Sequence, residues 1–191
     1  MAGDASPSTD PVQLAQDRFI ALWGRMGSSW GIPRTMAQVH ALLYIVGEPM
    51  NTDDIMARLR ISRGSASMTL KNLQDWGIVS RAVVPGERKD LFTTSSDIWK
   101  LFRTVLRERK KREIDPLIDA LRNCRELTDS HQKPRRLFAA SRTRDSHAEE
   151  HNKRLDAMID FLTMIDALAQ QLIQPSGKGL ALAAKFFSRA S

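Results

Sequence analysis

Arg63, Lys71, Arg81, Arg88 and Lys89 are the side chains best placed to do chemistry: they suit phosphates, with a guanine edge equally open to Arg63 and a minor groove to Arg88 and Lys89. Ser62, Gly64, Ser65, Ser67 and Met68 stand among them, short or unbranched groups that leave room for a close partner. Cations hold phosphate oxygens, and small polar side chains between them reach base edges in a major groove. Residues 58–90 carry seven Lys or Arg against three Asp or Glu, a large share of the chain's net +7. That sign favours a polyanion as partner. An isolated basic residue is only a solvated charge, so the weight falls on the pattern.

Three other groups of residues invite chemistry. His147-Ala148-Glu149-Glu150-His151 matches the H-x-x-E-H spacing of inverted zinc peptidases. On a helix the two histidines share a face and Glu150 would act as base. Nothing else of such an enzyme accompanies it, and acids suit the start of a helix, so coincidence is the preferred reading. Trp23, Trp30 and Trp99 are candidates for an aromatic site, since tryptophan attracts organic cations by about 0.5–2 kcal/mol. Tryptophan more often packs a core, which is the reading for Trp76. Cys124 is read as a buried or neutral helix residue rather than a redox sensor. No Ser/His/Asp set, carboxylate pair or glycine-rich phosphate loop appears, and no enzyme, metal or cofactor is expected.

The cations need elements to position them. Asn51 and Thr52 cap a short helix over 51–59 with apolar Ile55, Met56 and Leu59. Ser62 caps a second helix that stops at Gly77, with Ala66, Leu70, Leu73 and Trp76 on its inner face. Its first N–H groups, at Arg63, Gly64 and Ser65, make a positive end suited to a phosphate. Ile78–Val84 and Leu91–Thr94 read as strands joined by the basic turn Pro85–Asp90, so the hairpin forms a wing over 79–94. Upstream, Asp10 and Pro11 open a helix through Met26, and Pro33 opens another that buries Met36, Val39, Leu42, Leu43 and Val46. Downstream, Asp97 starts a long helix through Leu121 that is expected to kink or break at Pro116. A loose connection over 128–146 follows, then a patterned helix from about Ser146 to Gln174.

The fold class is therefore mainly α with a small β-hairpin wing, a winged helix-turn-helix flanked by helices. The expected organisation is a disordered segment at 1–10 and a winged-helix domain at 11–125. A helical region at 126–174 and a linker with a short basic, apolar tail at 175–191 complete it. At 191 residues, with 42% hydrophobic and 27% charged residues, the chain has enough apolar content for a real core. A single cysteine excludes an intrachain disulfide and fits a reducing compartment. No secretory signal or spanning segment is seen, so a cytoplasmic protein without membrane attachment is expected.

Five short motifs in this order and spacing resemble the MarR superfamily of winged-helix transcription regulators, and most of all its GbsR-like branch. They are Trp30-Gly31-Ile32-Pro33, Ser62-Arg63-Gly64-Ser65, Leu73–Val79, Pro85–Asp90 and Asp97–Phe102, within residues 12–125. The resemblance implies a homodimer paired through its terminal helices, with two wing–helix units on a near-palindromic stretch of double-stranded DNA. It also implies a small-molecule effector pocket near Trp23, Trp30 and Trp99. The expected function is a dimeric, sequence-specific, ligand-responsive repressor that reads the major groove with helix 62–76 and rests wing 79–94 on the flanking backbone or minor groove. The alternative from another class is a winged helix used for protein interaction without sequence-specific DNA binding.

Overall fold

The computed structural model describes residues 10–131 and 142–174. Residues 1–9 of the segment expected to be disordered, 132–141 of the loose connection and the linker and tail over 175–191 lie outside the described residues. The chain divides into two compact units after Leu101.

The first unit opens with α1 (Pro11–Ser29) and α2 (Arg34–Val46), followed by β1 (Met50–Asn51), α3 (Thr52–Leu59) and α4 (Arg63–Asp75). The wing strands β2 (Val79–Ala82) and β3 (Leu91–Thr94) complete it. Asp10 Oδ1 caps α1 by accepting from the Val12 N–H at 3.0 Å, and Asn51 Oδ1 caps α3 through the Asp54 N–H at 3.0 Å. α2 is the centre of this unit: Val39, Ala41, Leu42 and Leu43 are sealed from solvent. Around them close Ile20, Met36, Ile55, Leu70, Leu73, Val79 and Phe92, with Trp23, Val46 and Trp76 packed partly buried at the margin. Each such side chain contributes about 1.5–3 kcal/mol by leaving water, and together they fix the faces of α3 and α4. α1 lies hard against α2 because two glycines permit it. A Cβ on Gly27 would fall 2.5 Å from Ala37 Cβ, and one on Gly24 would fall 2.7 Å from Gln38 Cγ.

The sheet differs from the expected hairpin. β3 is its centre, pairing antiparallel with β2 (Arg81 opposite Phe92) and with β1 (Met50 opposite Phe92). Two residues are too short a run to show alternation, so β1 is invisible in the sequence. β2 also ends at Ala82, leaving Val83 at 95% exposure, although Val83 and Val84 have strand propensity. Pairing with the four-residue β3 stops there, and propensity without a partner does not extend a strand. Pro33 caps α2 from outside rather than opening it.

α5 (Ile98–Arg109) straddles the division, with Asp97 Oδ1 accepting from the Trp99 and Lys100 N–H groups at 2.9 and 3.1 Å. A π-helical turn (Lys110–Ile114), α6 (Asp115–His131) and α7 (Arg142–Ile173) form the second unit. The break expected at Pro116 takes the form of this wider turn, which interrupts the α-helix between Arg109 and Asp115. Proline cannot donate and its ring crowds the carbonyl four residues back. Shifting to a five-residue step, with the Asp115 N–H on Lys110 O, relieves both. α6 runs on to His131 and α7 begins at Arg142, so both invade the segment expected to be loose. Lys110 Nζ sits 2.5 Å from Asp115 Oδ1 and 2.9 Å from Asp166 Oδ1 of α7, the second approach an ion pair off the hydrogen-bond direction. The carboxylates raise its pKa, Asp115 most. Arg125 reaches Asp156 at 2.9 Å, and the buried Asn152 lies 2.6 Å from Thr128 Oγ1. Ile118 and Leu162 are buried, while Met158, Phe161, Met164 and Leu168 of α7 are exposed. Cys124 is exposed rather than buried.

Candidate nucleic-acid interface

α4 presents one continuous solvent face. Gly64, Ser67, Met68 and Lys71 are exposed along it, and Asn72 and Asp75 extend it. The opposite face holds Ala66, Thr69, Leu70 and Leu73 in the core, so burial of that stripe decides which side chains look outward. Met68 is an apolar side chain left 66% exposed on this face. Gly64 faces open space: beyond its chain neighbours and its own helix backbone, a Cβ there would meet no described atom within 4 Å. No internal packing demands glycine at this position. Ser62 Oγ accepts from the Ser65 N–H at 3.3 Å, so one of the three N–H groups expected to meet a phosphate is already used by the cap. Arg63 and Gly64 retain theirs, since a first helical turn has no internal acceptors. The Ser65 side chain is half-buried.

The wing is ordered by its own acids. Glu87 Oε1 accepts from the N–H groups of Arg88 and Lys89 at 2.9 and 3.0 Å, and Gly86, at φ +87°, lets the chain reverse. Arg81 Nη1 lies 3.3 Å from Asp90 Oδ1 across the hairpin, with both side chains exposed. Exposed pairs of this kind contribute about 0–1 kcal/mol, so they orient more than they stabilise.

Asp53, in the first turn of α3, ties the two cationic elements together. Its Oδ1 is 2.6 Å from Arg63 Nη2 and its Oδ2 is 3.1 Å from Lys89 Nζ. The hydrogen bonds from Lys89 and then Arg63 hold the Asp53 carboxyl below the usual carboxylate range. Asp53, Glu87 and Asn72 were not among the residues the sequence singled out. An acid in the first turn of a helix reads as a favourable end charge, and only the fold shows that Asp53 faces cations 10 and 36 residues away.

The remaining candidates are scattered. Trp23 sits half-buried in an aromatic group on α1 and α2, with Phe19 at 5.6 Å and His40 at 6.1 Å between ring centres. Trp30 ends α1 and Trp99 begins α5, both about half exposed. His147 and His151 are exposed on α7, and among the described residues no group of three His, Cys, Asp or Glu side chains gathers for a metal.

The sequence profile of the MarR family matches residues 30–90, the stretch from the end of α1 to the wing turn before β3. The relatives found with it include the HTH-type transcriptional repressor GbsR of Bacillus subtilis, 26% identical over 118 residues. Over about a third of its length, the chain is similar to MarR-family regulators, and GbsR is among the relatives it resembles. The alignment covers 62% of this chain and 65% of GbsR. The putative HTH-type transcriptional regulator YvaV and the HTH-type transcriptional repressor OpcR of the same organism are 24% and 23% identical. About half of this chain and half of each of those proteins align. A solved structure described as a transcriptional regulator superposes with a TM-score of 0.52 at 17% identity, covering 83% of this chain and 95% of that one. That likeness speaks to the fold, a winged helix with added helices, in which α4 and the β2–β3 hairpin are the helix and the wing.

Proposed function

We propose that this chain is a DNA-binding transcriptional regulator and not an enzyme, inserting α4 in a major groove and laying the wing on the flanking backbone. The observation that carries this reading is the outward face of α4. It offers glycine, serine, methionine and lysine where a monomeric protein gains nothing by exposing them, beside the cations of a tethered wing. Ser67, Lys71 and Asn72 are the base-edge candidates, Met68 the contact for a thymine methyl, and Arg63, Arg81, Arg88 and Lys89 the phosphate contacts. Repression is the sign favoured by the names of GbsR and OpcR.

A homodimer is part of the proposal. Met158, Phe161, Met164 and Leu168 recur at helical spacing on α7 and remain exposed, an apolar stripe that a second copy would cover. Release by a small ligand is supported only by the exposed Trp30 and Trp99, and a cage using all three tryptophans is disfavoured by the packing of Trp23 into the core. Among the described residues no helix is long and apolar enough to cross a membrane, and a cytoplasmic location is the natural one for a DNA regulator.

Selection of bound sites from random double-stranded DNA tests the reading. An enriched, near-palindromic site is expected, and Arg63→Glu or the Arg88→Glu/Lys89→Glu pair should abolish the mobility shift while circular dichroism stays unchanged. Binding without sequence preference would instead favour a protein-interaction module, and unaltered binding by the charge-reversed variants would remove α4 and the wing from the interface.

A further inference from the structure

Asp53 places its carboxylate between two cations that come from different elements. Arg63 belongs to the start of α4 and Lys89 to the wing tip, yet both reach one group of three atoms, at 2.6 and 3.1 Å. A carboxylate held in this way by a guanidinium and an ammonium uses the same donors, at the same spacing, as one phosphate oxygen pair. All three side chains remain accessible, Arg63 at 68%, Lys89 at 58% and Asp53 at 45% exposure. The ion pairs are therefore screened by solvent and exchange easily. Glu87 fixes the backbone of Lys89, and the Ser62 cap fixes the start of α4, so both cations return to the same place when Asp53 lets go.

We propose that Arg63 and Lys89 form a single clamp for one DNA backbone phosphate, and that Asp53 is the resident anion which this phosphate displaces. The inference rests on the DNA-binding reading and adds to it a shared site and an internal competitor. Asp53 thus lowers the affinity of the free protein for every duplex alike, because the phosphate carries no sequence. Sequence preference, set by the outward face of α4, is left intact.

The test is a thermodynamic cycle on the full chain, read by fluorescence anisotropy with the best selected duplex and with a random-sequence duplex. Asp53→Asn should tighten binding to both by a similar factor, about three- to tenfold at low salt. It should also steepen the plot of log K against log salt by about one unit. The gain should vanish in an Arg63→Gln/Lys89→Gln background. Asp54→Asn, which removes the same charge from the same helical turn, should give a markedly smaller gain that persists in that background. An Asp53→Asn gain that survives loss of both cations would reduce Asp53 to a general repulsive charge and overturn the clamp. Weaker binding by Asp53→Asn would overturn it too, by showing that the carboxylate positions the wing. If the unaltered protein binds neither duplex, the DNA reading itself falls, and the clamp with it.

Discussion

At the scale of single residues, Gly64 and His40 make opposite demands. Gly64 occupies an ordinary helical position with open space around it, so alanine there removes backbone entropy from the unfolded chain and should stabilise α4 by about 0.5–1 kcal/mol. The same methyl would stand where a sugar-phosphate chain is proposed to approach. Gly64→Ala should therefore raise the thermal midpoint and weaken DNA binding about tenfold or more; a variant that is both more stable and equally tight would remove the close approach. His40 is buried beside Trp23 and Tyr44, and burial pushes its pKa down to about 4. Among the described residues its Nε2 meets no hydrogen-bond partner. With an unfolded value near 6.5, the unfolded chain binds the proton first. Stability is then complete above about pH 6.5 and declines as pH falls toward 4, by roughly 3 kcal/mol in total. Urea unfolding between pH 7 and 4.5 should show this slope, and His40→Leu should flatten it relative to the unaltered chain.

At the scale of elements, the close contact between α1 and α2 is the one the sequence concealed. Glycines within a helix ordinarily weaken it, and Gly24 and Gly27 look like defects until α2 is laid against them. Gly27→Leu should cost more than the typical 1–3 kcal/mol of overpacking, because Ala37 sits on backbone that cannot retreat. Chemical unfolding would measure it, and a change below 0.5 kcal/mol would mean the helices slide freely. α4 was the opposite case. Its cap at Ser62, its stop at Gly77 (φ +70°) and its apolar stripe were all legible, since each is a local demand of helix geometry. The wing was legible as a turn between strands. The end of β2 and the whole of β1 were not, because strand limits depend on which partner arrives. The π-helical turn before Pro116 was likewise a solution where only the difficulty could be read.

At the scale of the whole molecule, the proposal requires two copies. Phe161→Lys with Met164→Lys should convert the protein to a monomer in sedimentation velocity at micromolar concentration, with weaker binding to a palindromic site than to a half-site control would predict. A dimer that survives both changes would place the interface elsewhere. A dimer neutralising roughly 6–10 phosphates should lose affinity steeply with salt, with a slope of about −5 to −9 on logarithmic axes.

What the sequence determined by itself was the placement of positive charge and the elements that carry it. Charge, capping residues and apolar spacing are local, and they suffice to specify a capped helix with a cationic start, a basic hairpin and the order in which they come. Tertiary structure decided which charges face one another. Asp53 was an end charge on a short helix until packing of α3 and α4 on α2 carried it to Arg63 and Lys89. Coulomb interactions act through space over a few ångströms, and spacing along the chain does not encode them. The cations of α4 and the wing are thus written in the sequence, while the carboxylate that meets them is legible only in the fold.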